Sequence, residues 1–167
     1  MPLIISENTN LWTIDADAYA QGCNMKGKMG HGIAVQFKQR YPQMYKEYVK
    51  HCDEFKAPLT PGGFFFWPAE HNVAAVYNLF TQVYPGKDGR LDACRDAFNA
   101  MLNHAVQHSI ATIAMPAIGC GLAGLRWKDV KFILDECIKK SGFPGDVIVA
   151  FQFSEFDVKP KQATRTL

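Results

Sequence analysis

The sequence predicts a three-layer α/β/α sandwich, and three observations carry the prediction. Short apolar runs bounded by glycine and proline read as strands. Stretches with apolar residues at helical spacing lie between them. Two glycine loops each follow a strand run and open a helix.

Taken in order, residues 3–6 form a short β-rich run, and residues 16–23 a second strand that delivers the chain to the loop Asn24-Met25-Lys26-Gly27-Lys28-Met29-Gly30. A helix is expected to begin near Gly32, because Ile33, Phe37 and Tyr41 recur at helical spacing until Pro42 interrupts. A second helix follows through Met44, Tyr48 and Cys52. Residues 63–67 and 73–80 are continuous apolar runs rather than alternating ones, so they read as buried strands of a sheet covered on both faces. Leu91, Cys94, Phe98, Leu102 and Ala105 make a helical stripe, and residues 110–115 a strand. Trp127, Val130, Leu134 and Cys137 make another stripe, and residues 147–153 a last strand. One domain over residues 1–156 is expected. Residues 157–167 lack apolar periodicity and carry Lys159, Lys161 and Arg165, so a loose, solvated tail is expected there.

Composition bounds the function. A chain of 167 residues, 48% hydrophobic and 20% charged, can bury one good core, and a prior of roughly 150 residues per domain favours a single unit. The formal charge of +2 is far from the clustered excess of a nucleic-acid binder, so nucleic acid is not expected as the main ligand. The five cysteines, Cys23, Cys52, Cys94, Cys120 and Cys137, contain no C-x-x-C pair and signal neither a disulfide framework nor a zinc site. His51, His71, His104 and His108 have no carboxylate or cysteine partner at ligand spacing, so no metal and no cofactor are expected. No apolar run approaches the roughly 20 residues that span a bilayer, and Met1-Pro2-Leu3-Ile4-Ile5 is too short and uncharged for a signal peptide. A monomeric, cytoplasmic protein with no membrane partner is expected.

The glycine loops carry the strongest signal. Gly30-His31-Gly32-Ile33 lies after a strand and opens a helix, where unpaired backbone N–H groups and the helix dipole favour an anion. Ile118-Gly119-Cys120-Gly121-Leu122 repeats that arrangement ahead of the helix near Trp127. Either loop alone reads equally well as a tight strand-to-helix connection. Two of them at corresponding ends of parallel strands suit a diphosphate clamped from both sides, where open α/β sheets place ligands.

The order Gly22-Cys23-Asn24, Gly30-His31-Gly32-Ile33-Ala34 and Met115-Pro116-Ala117-Ile118-Gly119-Cys120-Gly121-Leu122 resembles macrodomains. The resemblance runs from Ile4 to Phe153. Residues 30–42, with Gln36-Phe37 and Arg40-Tyr41-Pro42, and the segment Leu79-Phe80-Thr81 are similar to one branch of that family. It holds ADP-ribosyl-glutamate hydrolases, DNA ADP-ribosyl antitoxins and yeast-type ADP-ribose 1''-phosphate phosphatases. The resemblance implies a mixed, mostly parallel central sheet and ADP-ribose or a derivative as ligand, with an ADP-ribosylated macromolecule as a further candidate partner.

It also implies roles. Asn24 would lie beside the distal ribose, and the amides of Gly30, His31, Gly32 and Ile33 would face one phosphate. Thr81 belongs to the same site, and Ile118, Gly119, Cys120, Gly121, Leu122 and Ala123 would face the other phosphate and the distal ribose. Phe151 would pack on adenine, although a final strand needs apolar residues whatever its function. The family's adenine-binding acid is missing: Thr9-Asn10-Leu11 stands there, and Asn10 could accept from the adenine amino group through its amide oxygen.

For catalysis, the glutamate- and DNA-linkage hydrolases carry a lysine just after Phe-Thr, where this chain has Gln82, and an assisting aspartate in the protein-directed enzymes falls at Ala123. Neither an amide nor a methyl replaces an amine or an acid. The phosphatase group is the better match, although its histidine two residues before Cys-Asn corresponds to Gln21. The catalytic candidates that remain are Asn24, His31 and Asp88. His31 is either an acid or base near neutral pH or a loop residue acting through its amide; Asp88 either orients water or is a turn residue beside glycine. Cys120 reads as a packing residue rather than a nucleophile. Three functions follow: a hydrolase of ADP-ribose 1''-phosphate or a related derivative, a noncatalytic ADP-ribose-binding module, and an eraser of ADP-ribose from protein or nucleic acid.

Overall fold

The computed structural model describes residues 3–151. Six strands form one sheet in the order β1-β6-β5-β2-β4-β3. They are β1 (Leu3–Glu7), β2 (Ala18–Cys23), β3 (Phe64–Trp67), β4 (Ala75–Phe80), β5 (Thr112–Pro116) and β6 (Asp146–Phe151). All neighbours pair in parallel except β3, which lies antiparallel on β4 at the sheet edge, with Phe66 opposite Tyr77. The sheet is therefore mixed and mostly parallel, as the resemblance implies.

Helices α1 (Ile33–Arg40) and α2 (Pro42–Asp53) cover one face, and α3 (Leu91–Gln107) and α4 (Trp127–Ser141) the other. Strand alternation sorts the side chains between two cores. In β4, Ala75, Tyr77 and Leu79 join Phe98, Leu102 and Leu134 under α3 and α4, whereas Val76 and Phe80 join Phe37, Met44 and Tyr48 under α1 and α2. All six β4 residues are buried, which is why its sequence shows no polar alternation. Phe37 is fully enclosed and packs edge-on against Trp12; truncating such a side chain to alanine costs about 3–5 kcal/mol. Pro42 opens α2 at its first turn, where a missing N–H costs nothing.

Several boundaries differ from expectation. The second strand starts at Ala18, because the Asp17 carboxylate accepts from the Ala111 and Thr112 amides and turns the chain before pairing begins. Val73 forms an isolated bridge with Glu70, so β4 starts at Ala75. Residues 64–67 are half-buried, not buried, because their strand has a neighbour on one side only. The last strand is described as far as Phe151; residues 152 and 153 and the expected tail, residues 157–167, lie outside the described residues. No helix among the described residues is long and apolar enough to cross a membrane.

Candidate functional site

Because β1, β6, β5, β2 and β4 run parallel, their carboxyl ends share one edge of the sheet, and the loops that leave them form its rim. The loop from β2 to α1 is held by Asn24. Its Oδ1 accepts from the amides of Lys26 and Lys28 at 3.0 and 3.2 Å, and its Nδ2 donates to the Lys28 carbonyl at 2.9 Å. The Tyr48 hydroxyl donates to the Asn24 carbonyl at 2.7 Å. Asn24 therefore shapes the loop.

Beyond that anchor the chain is open. Gly30, His31 and Gly32 are exposed, and their amides and that of Ile33 donate to no acceptor among the described residues. Gly32 precedes the first residue of α1 with φ +60° and ψ −141°, a conformation that a side chain strains, and no side chain caps the helix. The second loop behaves alike. The amides of Gly119, Gly121, Leu122 and Ala123 make no hydrogen bond among the described residues, Gly119 has φ +79°, and α4 also lacks a side-chain cap. Two runs of free donors, one at the start of α1 and one in the loop ahead of α4, make a site suited to negative charge.

Gly22, Thr81 and Ile118 form a floor between the loops. A Cβ on Gly22 would come within 3.0 Å of both Ile118 Cγ2 and Thr81 Oγ1. Thr81 is 1% exposed, and its hydroxyl has no hydrogen-bond partner among the described residues. A buried hydroxyl without a partner is costly, which makes Thr81 a ready donor or acceptor.

The loop from β4 to α3 uses the side chains that the sequence left as chemical candidates. Gln82 Nε2 donates to the carbonyls of Tyr84 and Gly86 at 2.6 and 3.0 Å. Asp88 Oδ2 accepts from the amides of Val83 and Tyr84 at 3.0 and 2.9 Å, with Arg90 at 3.3 Å. The Tyr84 amide, with those of Val83 and Arg90's guanidinium, holds the Asp88 carboxyl below the usual carboxylate range. An acid of that kind is an acceptor at neutral pH, not a proton donor. The Gly89 amide donates to the Ala123 carbonyl at 3.0 Å, so this loop is tied to the second glycine loop.

The remaining candidates lie as follows. His31 and Leu122 are exposed on the rim, and Cys120 is half-buried, its Sγ donating to the Ile118 carbonyl at 3.4 Å. Asn10 and Leu11 sit beside the β1–β6 edge. There Asn10 Oδ1, the oxygen offered to adenine, accepts from the Trp12 amide at 3.0 Å, and the Leu11 side chain is buried in the core. Phe151 ends β6 half-buried, its ring 5.7 Å from that of Trp127. Both glycine loops, Thr81 and the Asp88 loop thus meet at one rim, and Asn10, Leu11 and Phe151 gather at its far side. Burial raises the thiol pKa of Cys23, Cys52, Cys94 and Cys137, Cys52 to about 11, so these four remain neutral thiols at neutral pH. Among the described residues no group of three or more His, Cys, Asp or Glu side chains could hold a metal. A groove between α3 and α4, lined by Leu91, Arg95 and the exposed Phe132, has no comparable set of free amides.

The residues to which sequence reasoning gave no part in the site are Gly22, Gly89, Trp127 and Lys87, which pack against or beside its loops. Their signal, a small or long side chain beside a loop glycine, acquires meaning only once the loops are folded.

A family model described as Macro domain matches residues 20–134, and the chain belongs to that family. A DNA ADP-ribosyl glycohydrolase of Mycobacterium tuberculosis is 32% identical over 127 residues, 73% of this chain and 35% of that protein. This chain thus spans about a third of the length of that relative. An ADP-ribose 1''-phosphate phosphatase of Saccharomyces cerevisiae is 24% identical over 152 residues, covering 75% of this chain and 82% of that protein. Among solved structures, the macrodomain of Mycobacterium tuberculosis DarG is similar with a TM-score of 0.79 at 26% identity, over 89% of this chain and 96% of that one.

Proposed function

We propose that the cleft binds ADP-ribose and that the protein hydrolyses a derivative of it such as ADP-ribose 1''-phosphate. The observation that carries this reading is the pair of loops whose amides, at residues 30–33 at the start of α1 and at Gly119, Gly121, Leu122 and Ala123 in the loop ahead of α4, donate to no acceptor among the described residues. They suit a diphosphate held from both sides, with Thr81 beneath it. In hydrolysis of the 1''-phosphate, water adds to its phosphorus as the bond to the distal-ribose oxygen breaks, that oxygen takes up a proton to become a hydroxyl, and phosphate is released, with loop amides beside the distal ribose stabilising the negative charge that develops. Asn24 shapes the loop beside the distal ribose, and His31 is the side chain placed to move a proton. Relatives named as ADP-ribosyl glycohydrolase and ADP-ribose 1''-phosphate phosphatase support the ligand class. Phe151 and Asn10 are proposed at the adenine end.

A noncatalytic binding module is the second reading. It is favoured by Gln82 and Asp88, whose side chains are committed to their own loop, and by the methyl of Ala123. Removal of ADP-ribose from protein or nucleic acid ranks third for the same reason.

Gly30→Glu tests the ligand. Gly30 is preferable to Gly32 because an added Cβ meets nothing within 4 Å and the residue has no positive φ. Calorimetry with ADP-ribose, ADP and AMP should show the parent binding ADP-ribose best and the variant losing more than about tenfold in affinity, the scale of a nearby like charge. Unchanged affinity in the variant, or no binding by the parent, refutes the reading. Phosphate release from ADP-ribose 1''-phosphate then separates the enzyme from the module. A proton-transfer role predicts that His31→Ala slows release by roughly a hundredfold or more.

A further inference from the structure

The Lys87 side chain lies along the second glycine loop. A Cβ built on Gly124 would come within 2.8 Å of Lys87 Cγ, 3.0 Å of Cε and 3.4 Å of Cδ, so the lysine stem occupies the space a side chain at 124 would take. Gly124 closes a turn in which its amide donates to the Gly121 carbonyl at 3.1 Å, and within that turn the amides of Leu122 and Ala123 are free among the described residues. The ammonium is one bond beyond Cε. It makes no ion pair among the described residues, because the neighbouring Asp88 carboxylate is turned inward to the Val83 and Tyr84 amides and to Arg90.

The loop that delivers Lys87 is built to hold it there. Gln82 binds the carbonyls of Tyr84 and Gly86, Asp88 binds two amides, and the Gly89 amide fastens the loop to the Ala123 carbonyl. The position after Phe80-Thr81 thus contributes no charge of its own, and shapes a loop that carries a cation five residues later to the second phosphate loop.

We propose that Lys87 supplies the cationic contact to the ligand's phosphate and distal-ribose end at the 118–124 loop, an assignment that rests on the ADP-ribose-binding reading above. Loop amides orient an anion but carry only partial charge, and a full positive charge a few ångströms away adds attraction that they lack.

Lys87→Met keeps the apolar stem over Gly124 and removes the charge. ADP-ribose affinity by calorimetry at low salt should fall about tenfold in Lys87→Met, fall about a hundredfold in Lys87→Glu and be largely retained in Lys87→Arg. The affinity of the parent should weaken as salt rises, and that of Lys87→Met should be less salt-dependent. Lys140→Met, on the exposed last turn of α4, should match the parent. If the parent binds ADP-ribose and Lys87→Met binds as tightly with the same salt dependence, the lysine only covers Gly124 and this inference is overturned while the ligand assignment stands. If the parent does not bind, the ligand assignment itself falls, and this inference with it.

Discussion

At Gly30 and Gly32 an added Cβ would meet nothing within 4 Å. At Gly119 it would come within 2.9 Å of Leu125 Cδ1, and at Gly89, which straps the same loop, within 2.8 Å of Leu125 Cγ and 2.9 Å of the Ala123 carbonyl oxygen. The two glycine loops offer similar donors on different supports. The first is anchored at its base by Asn24 and free beyond it, while the second is braced along its length by Leu125, Gly89 and Lys87. A loop that is free at its tip can adjust to a ligand, whereas a braced loop is pre-organised and loses little freedom on binding.

Three experiments bear on this contrast. The largest effect is expected for Gly89→Ala. The new methyl meets a backbone oxygen that cannot turn aside, so stability in urea unfolding should drop by about 1–3 kcal/mol, the usual cost of overpacking. Gly30→Ala should shift it by less than about 1 kcal/mol, in either direction. Equal effects would erase the distinction between the loops.

Thr81→Val addresses the floor they share. Removing a buried hydroxyl without a partner among the described residues should leave stability unchanged or raise it by up to about 1 kcal/mol, and ADP-ribose affinity should fall about three- to tenfold, the worth of one hydrogen bond. A loss of stability would mean that the hydroxyl is already satisfied within the fold.

The smallest effect sets the rim against the opposite end of the sheet. Burial, and then the charge of His108, lower the pKa of His104, whose Nδ1 lies 2.7 Å from the Tyr77 hydroxyl. The folded pKa is below the unfolded one, so protonation favours unfolding; the stability is complete above pH 6.5 and erodes as pH falls through that value and below. Melting temperature should fall between pH 7 and pH 5, less steeply in His104→Gln. Equal slopes would remove His104 as the cause.

The sheet was legible where apolar runs are continuous, as in the runs expected over residues 73–80 and 110–115, which form β4 (Ala75–Phe80) and β5 (Thr112–Pro116), and the helices where Leu91, Cys94 and Phe98 or Trp127, Val130 and Leu134 keep their spacing. The edge position of β3 was not, because Phe64-Phe65-Phe66-Trp67 is as apolar as a central strand and differs only in lacking a second neighbour. At the site, glycine patterns pointed to both loops, since positive φ at Gly32 and at Gly119 favours glycine there. The commitments of Asn24, Gln82 and Asp88 were hidden, because each acts on backbone two to five residues away through a turn that the sequence does not display.

A cleft whose donors are main-chain N–H groups is specified by the path of the backbone more than by the identity of its side chains. Leu122 and Ala123 each contribute an amide that any residue other than proline would also contribute, so these positions are free to drift without dismantling the site. Drift is barred where the path itself demands glycine, at Gly32, Gly119 and Gly124, all with positive φ. Over evolutionary time such a site should keep its shape and its few glycines while the side chains around them turn over, leaving the rim available for new specificities.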